Sequence, residues 1–215
     1  MHWDLYVLTG GDTDRGRPVE EVVEAALLGG ATAIQMREKA LSGRELLLLA
    51  QRLRRLTKRY GVPLLINDRV DIALLADADG VHLGQSDVPA ACARRLLGPG
   101  RIIGVTVDGV DQARQAQADG ADYVGLGPFF PTDSKGDAGP PLGLDTLREV
   151  KAAIDIPVVA VGGVKRENAR SLIAAGADGV AVISAVVHAP DVRQAAADLL
   201  AEVRAAKAER ERKEV

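Results

Sequence analysis

Residues 119–127 read DGADYVGLG, and a similar order returns at residues 175–184 as AGADGVAVIS. In both stretches Gly or Asp ends a helical segment, and an aliphatic run begins at once, as when a helix leads directly into a strand. Residues 77–84, DADGVHLG, form a looser third copy. This repeated passage predicts a chain in which helices and strands alternate.

Eight short aliphatic or β-branched runs recur along the chain, each followed by a segment with helical periodicity. No run stands out as an edge strand, and no GxGxxG turn follows the first, so a closed barrel is favoured over an open doubly wound sheet. We predict a single α/β domain over residues 1–215, folded as a (β/α)8 TIM barrel, with a solvated, charged helical tail from about residue 203. The predicted strands are residues 5–10, 33–37, 64–68, 80–84, 102–107, 123–127, 158–163 and 180–184.

Composition narrows the classes of function. With 215 residues, 47% of them hydrophobic, the chain is long enough for one sizeable core. A net charge of -3 and an aromatic content of 3% argue against nucleic-acid binding. Cys92 is the single cysteine, so no internal disulfide forms, and no leader or membrane-spanning run is expected. We expect a soluble, cytoplasmic protein that binds neither nucleic acid nor membrane, and a homo-oligomer is compatible with the sequence.

Polar side chains end the second predicted strand in the stretch IQMREK. Alternation along a strand directs Gln35, Arg37 and Lys39 to one face. In a TIM barrel the active site lies where the strands end, so Arg37 and Lys39 are predicted at the barrel mouth. The alternative is that both cations pair with carboxylates at the rim.

Carboxylates follow the next two strands. Asn67 and Asp68 end the third strand, and Asp87 follows the fourth. Two carboxylates near two cations suit Mg²⁺ bridging to phosphate oxygens, because Mg²⁺ usually takes one or two carboxylates together with phosphate and water. The alternative is that Asp68 caps a helix beginning near Arg69, and Asp87 caps one beginning at Val88.

The last three strands lead to a predicted second anion site. The loop 125–143 is rich in Gly and Pro and offers Thr132, Ser134 and Lys135 to an anion, unless it is only a solvated loop. Gly163 follows the seventh strand, and Ile183 and Ser184 end the eighth, where backbone N–H groups of this fold often bind phosphate. A tight turn is the alternative role of the glycine.

Two further residues have simpler interpretations. His82 lies inside the fourth strand, and we expect a hydrogen-bonded interior histidine rather than a catalytic one. Cys92 falls on a helix and is expected to pack as a small apolar residue.

The motifs QMREK, INDRVD, HLGQSD, GLGPFFPTDSK, VGGV and ISA, in this order at strand ends, resemble the thiamine phosphate synthase family over nearly the whole chain. The resemblance implies a transferase that joins hydroxymethylpyrimidine diphosphate to a thiazole phosphate, or to its carboxylate form, and releases pyrophosphate. It implies that Asp68 and Asp87 bind Mg²⁺ and that Arg37, Lys39, Thr106 and Lys135 are catalytic. The implied pyrimidine diphosphate site consists of Gln35, Arg37, Lys39, Asn67, Thr106 and Lys135, and the implied thiazole phosphate site of Thr132, Ser134, Gly163, Ile183 and Ser184.

The family's reaction is thought to be dissociative, with pyrophosphate leaving before the thiazole nitrogen attacks. A metal and several cations would stabilise charge on that leaving group. The sequence departs from the family at Thr106, where Ser is common, and at Ser134, where Thr is common. It also lacks the Ser/Thr-His-Ser run that often follows the fifth strand.

Two other functions stay open beside the synthase. A thiazole tautomerase shares the fold but usually loses the carboxylate after Asn and has His where this chain has Pro128. Asp68 and Pro128 therefore favour the synthase. The other alternative is a non-catalytic barrel that binds a phosphorylated ligand without a metal.

Overall fold

The computed structural model describes residues 2–10, 16–132 and 139–214, the side chain of residue 214 excepted. Its eight strands close into a barrel in sequence order, and every neighbouring pair is parallel, including the first with the last. The predicted TIM barrel is confirmed. The strands are β1 Leu5–Leu8, β2 Ala33–Met36, β3 Leu64–Asn67, β4 Gly80–Leu83, β5 Ile102–Val107, β6 Tyr123–Leu126, β7 Val158–Val161 and β8 Gly179–Val182.

A helix follows each strand, and a short extra helix follows β8. The helices are α1 Val19–Leu28, α2 Gly43–Arg59, α3 Val70–Leu75, α4 Ala90–Leu97, α5 Val110–Ala118, α6 Leu144–Ala153, α7 Arg166–Ala174, α8 Ser184–Val187 and α9 Val192–Glu214. The predicted end of β8 is wrong by two residues, because Ser184 already begins α8 and Ile183 precedes it as the N-cap. Within the described ranges no helix is apolar over the length that a bilayer requires. A cytoplasmic location stays a prediction.

Side chains of opposite strand faces enter different parts of the core. Ile34 and Met36 of β2 are buried, as are the α2 residues Leu49 and Leu53. On the other face of β2, Gln35 lines a small cavity inside the barrel. The alternation predicted for this strand is therefore present, and one face of it reaches the barrel interior.

The last helix is more than a solvated tail, which corrects the expectation for residues from about 203. Val203 and Ala206 are buried. Lys207 and Arg204 both bind the carboxylate of Asp4, which is itself buried at the start of β1. Although burial opposes ionisation, the two cations lower the pKa of Asp4. Some of the charged residues of α9 thus form ion pairs that hold the helix against the barrel.

Candidate active site

Gln35, Arg37 and Lys39 lie at increasing height along one side of the barrel, with decreasing burial. Gln35 is 1% exposed and Arg37 is 8% exposed, whereas the Lys39 side chain is 54% exposed. Arg37 is therefore buried, although it lies just beyond the last residue of β2. Its backbone N–H donates to Thr9 Oγ1 at 3.1 Å, which ties the end of β2 to the end of β1.

The two cations differ in their ion pairs. Lys39 Nζ lies 3.8 Å from Asp68 Oδ2, so the predicted rim pairing applies to this lysine. For Arg37, no carboxylate of the described residues lies within 4.0 Å, and its guanidinium donates no hydrogen bond to them. Burying a cation without a partner costs free energy. Among the described residues, the charge of Arg37 is therefore not neutralised by an ion pair.

Asp68 and Asp87 are not helix caps in this structure. The helices after them begin at Val70 and Ala90, and neither N-terminus has a side-chain capping bond. Asp87 Oδ2 instead accepts the N–H of Gly84 at 2.7 Å. Asp68 has a φ of 62°, and its N–H donates to the carbonyl of His82 at 2.8 Å. This left-handed backbone turns the residue out of β3 without starting the helix.

The two carboxyl groups lie close enough to affect each other. Partial burial and the adjacent Asp87 carboxyl raise the pKa of Asp68, while Lys39 and Arg37 oppose the rise. Within the described ranges, no group of three or more His, Cys, Asp or Glu residues forms a metal cage. A pair of carboxylates without further protein ligands fits Mg²⁺, which takes its remaining ligands from phosphate and water.

Thr106 lies within β5 and joins the site through His82. The Nε2 atom of His82 is 2.8 Å from Thr106 Oγ1, and its Nδ1 atom is 2.7 Å from Tyr123 Oη. The prediction of a hydrogen-bonded interior histidine is confirmed. Asn67 ends β3 next to His82 in the strand register and is half-buried.

The loop after β6 packs on the turn after β7. A Cβ on Gly163 would lie 2.6 Å from the Pro131 carbonyl, and this glycine has a φ of 65°. Close packing and a tight turn therefore require glycine here. Thr132 is half-buried in the same loop, whereas Ser134 and Lys135 lie outside the described residues. Ser184 is exposed at the start of α8.

Two tyrosines of the barrel interior escaped the sequence analysis. Tyr6 accepts a hydrogen bond from Gln35 Nε2 at 2.6 Å, and its hydroxyl lies 3.0 Å from that of Tyr123. Burial raises the pKa of both phenols. The sequence did contain an indication of both: each is a tyrosine, with a polar hydroxyl, inside an otherwise aliphatic strand, and the chain has only three tyrosines.

The sequence is similar to those of known proteins over most of its length. Residues 5–186 match the family described as thiamine monophosphate synthase. The chain belongs to the thiamine-phosphate synthase family. Members of this family are enzymes of thiamine biosynthesis, so the chain is an enzyme and not merely a binding barrel.

Individual relatives support the thiamine-phosphate synthase assignment across almost the whole chain. A thiamine-phosphate synthase of Moorella thermoacetica is 56% identical over 90% of this chain and 92% of its own length. One from Chloroflexus aurantiacus is 53% identical over 94% and 93%. The solved thiamine phosphate pyrophosphorylase of Pyrococcus furiosus is 44% identical, with a TM-score of 0.85 over 94% of this chain and 96% of that one.

Proposed function

We propose that this chain joins hydroxymethylpyrimidine diphosphate to a thiazole phosphate, giving thiamine phosphate and pyrophosphate. The observation that carries the proposal is the buried guanidinium of Arg37, which has no carboxylate within 4.0 Å among the described residues. Lys39 and the Asp68–Asp87 pair lie at the same end of the barrel. Such a site suits a diphosphate better than a neutral ligand.

Each side chain has a distinct task in this proposal. Arg37 and Lys39 bind the diphosphate oxygens, and Gln35 and Thr106 orient the pyrimidine diphosphate deeper in the barrel. Asp68 and Asp87 would hold Mg²⁺, which neutralises charge on the phosphate oxygens when bound. Asn67 and Lys135 complete the pyrimidine diphosphate site.

The reaction needs no protein nucleophile. The bond between the pyrimidine methylene carbon and the diphosphate oxygen breaks, and its electron pair leaves with pyrophosphate. The thiazole nitrogen then donates its lone pair to the methylene carbon and forms the new C–N bond. Arg37 and Lys39 stabilise the charge that grows on the leaving diphosphate, which is where positioned cations contribute most to the rate.

The thiazole phosphate is assigned to the opposite side of the mouth. Gly163 and Ser184 follow the adjacent strands β7 and β8, and Thr132 lies in the loop that packs on Gly163. We assign the phosphate to these three residues together with Ser134 and Ile183. In this arrangement the two substrates meet above the strand ends.

A turnover assay tests the proposal. Purified protein receives hydroxymethylpyrimidine diphosphate and thiazole phosphate, with Mg²⁺ or with excess chelator, and both thiamine phosphate and pyrophosphate are measured. We expect equal amounts of the two products, formed only with the metal. If thiazole phosphate binds but neither product forms, the proposed reaction is wrong, and thiazole isomerisation becomes the next activity to assay.

A further inference from the structure

A line of five polar side chains crosses the barrel interior beneath the mouth. In spatial order the polar chain consists of Gln35, Tyr6, Tyr123, His82 and Thr106. The successive distances are 2.6 Å from Gln35 Nε2 to Tyr6 Oη, 3.0 Å between the two phenol oxygens, 2.7 Å to His82 Nδ1, and 2.8 Å from His82 Nε2 to Thr106 Oγ1. Each distance is short enough for a hydrogen bond. The line connects two residues to which the proposed function assigns the pyrimidine diphosphate.

The barrel makes room for this line. A Cβ on Gly104 would lie 2.1 Å from Tyr123 Cζ, and one on Gly125 would lie 3.1 Å from His82 Cε1. Neither glycine has a positive φ, so space for the rings, and not backbone conformation, accounts for both. Trp3 is buried and packs on Tyr123 with ring centroids 3.9 Å apart.

The hydrogen bonds of such a line share one direction. A phenol has one hydrogen to donate, and a neutral imidazole has one donor and one acceptor nitrogen. With the Gln35 amide placed so that Nε2 donates to Tyr6, every hydrogen of the line has an acceptor when Tyr6 donates to Tyr123 and Tyr123 donates to Nδ1 of His82. His82 then carries its hydrogen on Nε2 and donates it to the oxygen of Thr106.

The line consequently offers a hydrogen-bond donor at the Thr106 end and an acceptor at the Gln35 end. Thr106 Oγ1 accepts from His82, so its own hydrogen is left for a group in the site. At the other end, Gln35 Oε1 is buried and has no hydrogen-bond partner among the residues that the structure describes. A hydroxyl that donates stabilises a phosphate oxygen, whereas one that presents only lone pairs repels it.

We propose that Tyr6, Tyr123 and His82 are positioning residues whose hydrogen-bond direction makes Thr106 a donor to the diphosphate of the substrate. The inference rests on the proposed function for the identity of that substrate. The direction of the line, by contrast, is a property of the free protein. It therefore has a test that needs no turnover.

The first test reads the tautomer of His82 in the unliganded wild-type protein. The chain has three histidines, so the ring signals of ¹⁵N-histidine-labelled protein are assigned by comparison with His2→Gln and His188→Gln variants. We expect the Nε2–H tautomer at His82, with Nδ1 as acceptor. An Nδ1–H tautomer would reverse the line and overturn the proposal, whether or not the protein makes thiamine phosphate.

The second test breaks the middle of the line. Tyr123→Phe keeps the ring on Trp3 but removes the hydroxyl, and we expect kcat to fall about 10-fold or more, equivalent to about 1.4 kcal/mol. The KM for thiazole phosphate should not change. Tyr60→Phe is the matched control, because its hydroxyl bonds Glu24 at 2.9 Å on the surface. An unchanged kcat in folded Tyr123→Phe would overturn the proposal.

A double-mutant cycle distinguishes positioning from general damage. If Tyr123 acts through Thr106, the Tyr123→Phe change should have little further effect on kcat in a Thr106→Val background. Additive losses would mean that Tyr123 supports the barrel without orienting Thr106, and would count against the proposal. If Tyr123→Phe does not fold, Tyr6→Phe breaks the preceding link, and the same cycle applies.

Discussion

Lys39 Nζ lies 3.8 Å from Asp68 Oδ2, too far for a direct hydrogen bond and near enough for an ion pair. The lysine is largely exposed, whereas Arg37, two residues earlier, is buried without such a pair among the described residues. Both cations lower the pKa of Asp68, but among the described residues only the lysine forms an ion pair with it. We propose that Arg37 binds the diphosphate.

Removing the charge of Arg37 should lower activity without lowering stability. We expect Arg37→Met to lower kcat/KM at least about 100-fold, because it removes charge stabilisation from the leaving diphosphate. The melting temperature should stay the same or rise, since the substitution removes a buried charge that has no ion pair within the described part of the chain. Steady-state kinetics and thermal unfolding measure the two effects.

Arg148→Met provides the control for this substitution. Arg148 is exposed on α6 and bonds only Asp145 of its own helix among the described residues, at 2.6 Å. Its replacement should change neither quantity appreciably. Near-normal turnover in folded Arg37→Met would contradict the assigned role.

The carboxylate of Asp68 should determine the metal requirement. Asn tolerates the left-handed backbone at this position, so Asp68→Asn changes the charge and preserves the turn. We expect the Mg²⁺ concentration for half-maximal activity to rise at least about 10-fold in this variant. Asp71→Asn is the matched control, because Asp71 is paired with Arg69 on the surface. Identical metal titrations for all three proteins would remove Asp68 from the metal site.

Although Asp68→Asn should weaken metal binding, it should stabilise the metal-free protein. The pKa of Asp68 is raised on folding, so the stability linked to this group is present at acidic pH and lost as the pH rises through the folded pKa. Asp68→Asn should therefore raise the melting temperature of metal-free protein at neutral pH. Thermal unfolding in chelator checks this, and a lower melting temperature would show that the carboxylate stabilises the fold.

Lys39 should set the acidic limit of metal binding. Mg²⁺ binds the ionised carboxyl, so its affinity falls as the pH drops through the pKa of Asp68. Because Lys39 lowers that pKa, Lys39→Met should move the loss of affinity to higher pH. Calorimetric titration of Mg²⁺ in the presence of pyrophosphate, repeated over a pH series, measures the shift. A curve that coincides with the wild type would show that the lysine does not act on the metal site.

The ion pair between α9 and β1 should stabilise the barrel in a pH-dependent way. Asp4 has a lowered pKa, so its contribution is present above its unfolded value of 3.8 and is lost as the pH falls through the folded pKa. Asp4→Asn should lower the unfolding free energy by about 2 kcal/mol at neutral pH. Urea unfolding at neutral and acidic pH should show the difference shrink in acid. Arg148→Gln, which breaks an exposed pair, should cost less than about 1 kcal/mol.

The turn after β7 should affect the two substrates unequally. Gly163→Ala strains a residue with a φ of 65° and places a Cβ 2.6 Å from Pro131 O, so the loop carrying Thr132 must move. We expect Gly163→Ala to lower the free energy of unfolding by about 1–2 kcal/mol. Its KM for thiazole phosphate should increase by a larger factor, relative to wild type, than its KM for pyrimidine diphosphate. Gly100→Ala is the control, since no atom lies within 4 Å of its added Cβ. Equal KM changes for both substrates would contradict the assigned thiazole phosphate side.

The amino-acid sequence by itself determined the order of strands and helices and the strand ends where polar residues collect. These features follow from local causes: alternation along a strand, helical periodicity, and Gly or Asp at the passage between elements. All eight predicted strands agree with the structure to within two residues at each end. The family motifs lie at those ends for the same reason.

Only the tertiary structure decided how those polar residues are partnered. Barrel closure buries Arg37, turns Asp68 away from the helix that its position suggested it would cap, and joins Tyr6 to Tyr123 across 117 residues. It also brings Lys207 to Asp4 and makes a charged tail part of the packed barrel. Local pattern carries no information on these contacts, because each depends on where a closed sheet places residues that are distant in the chain.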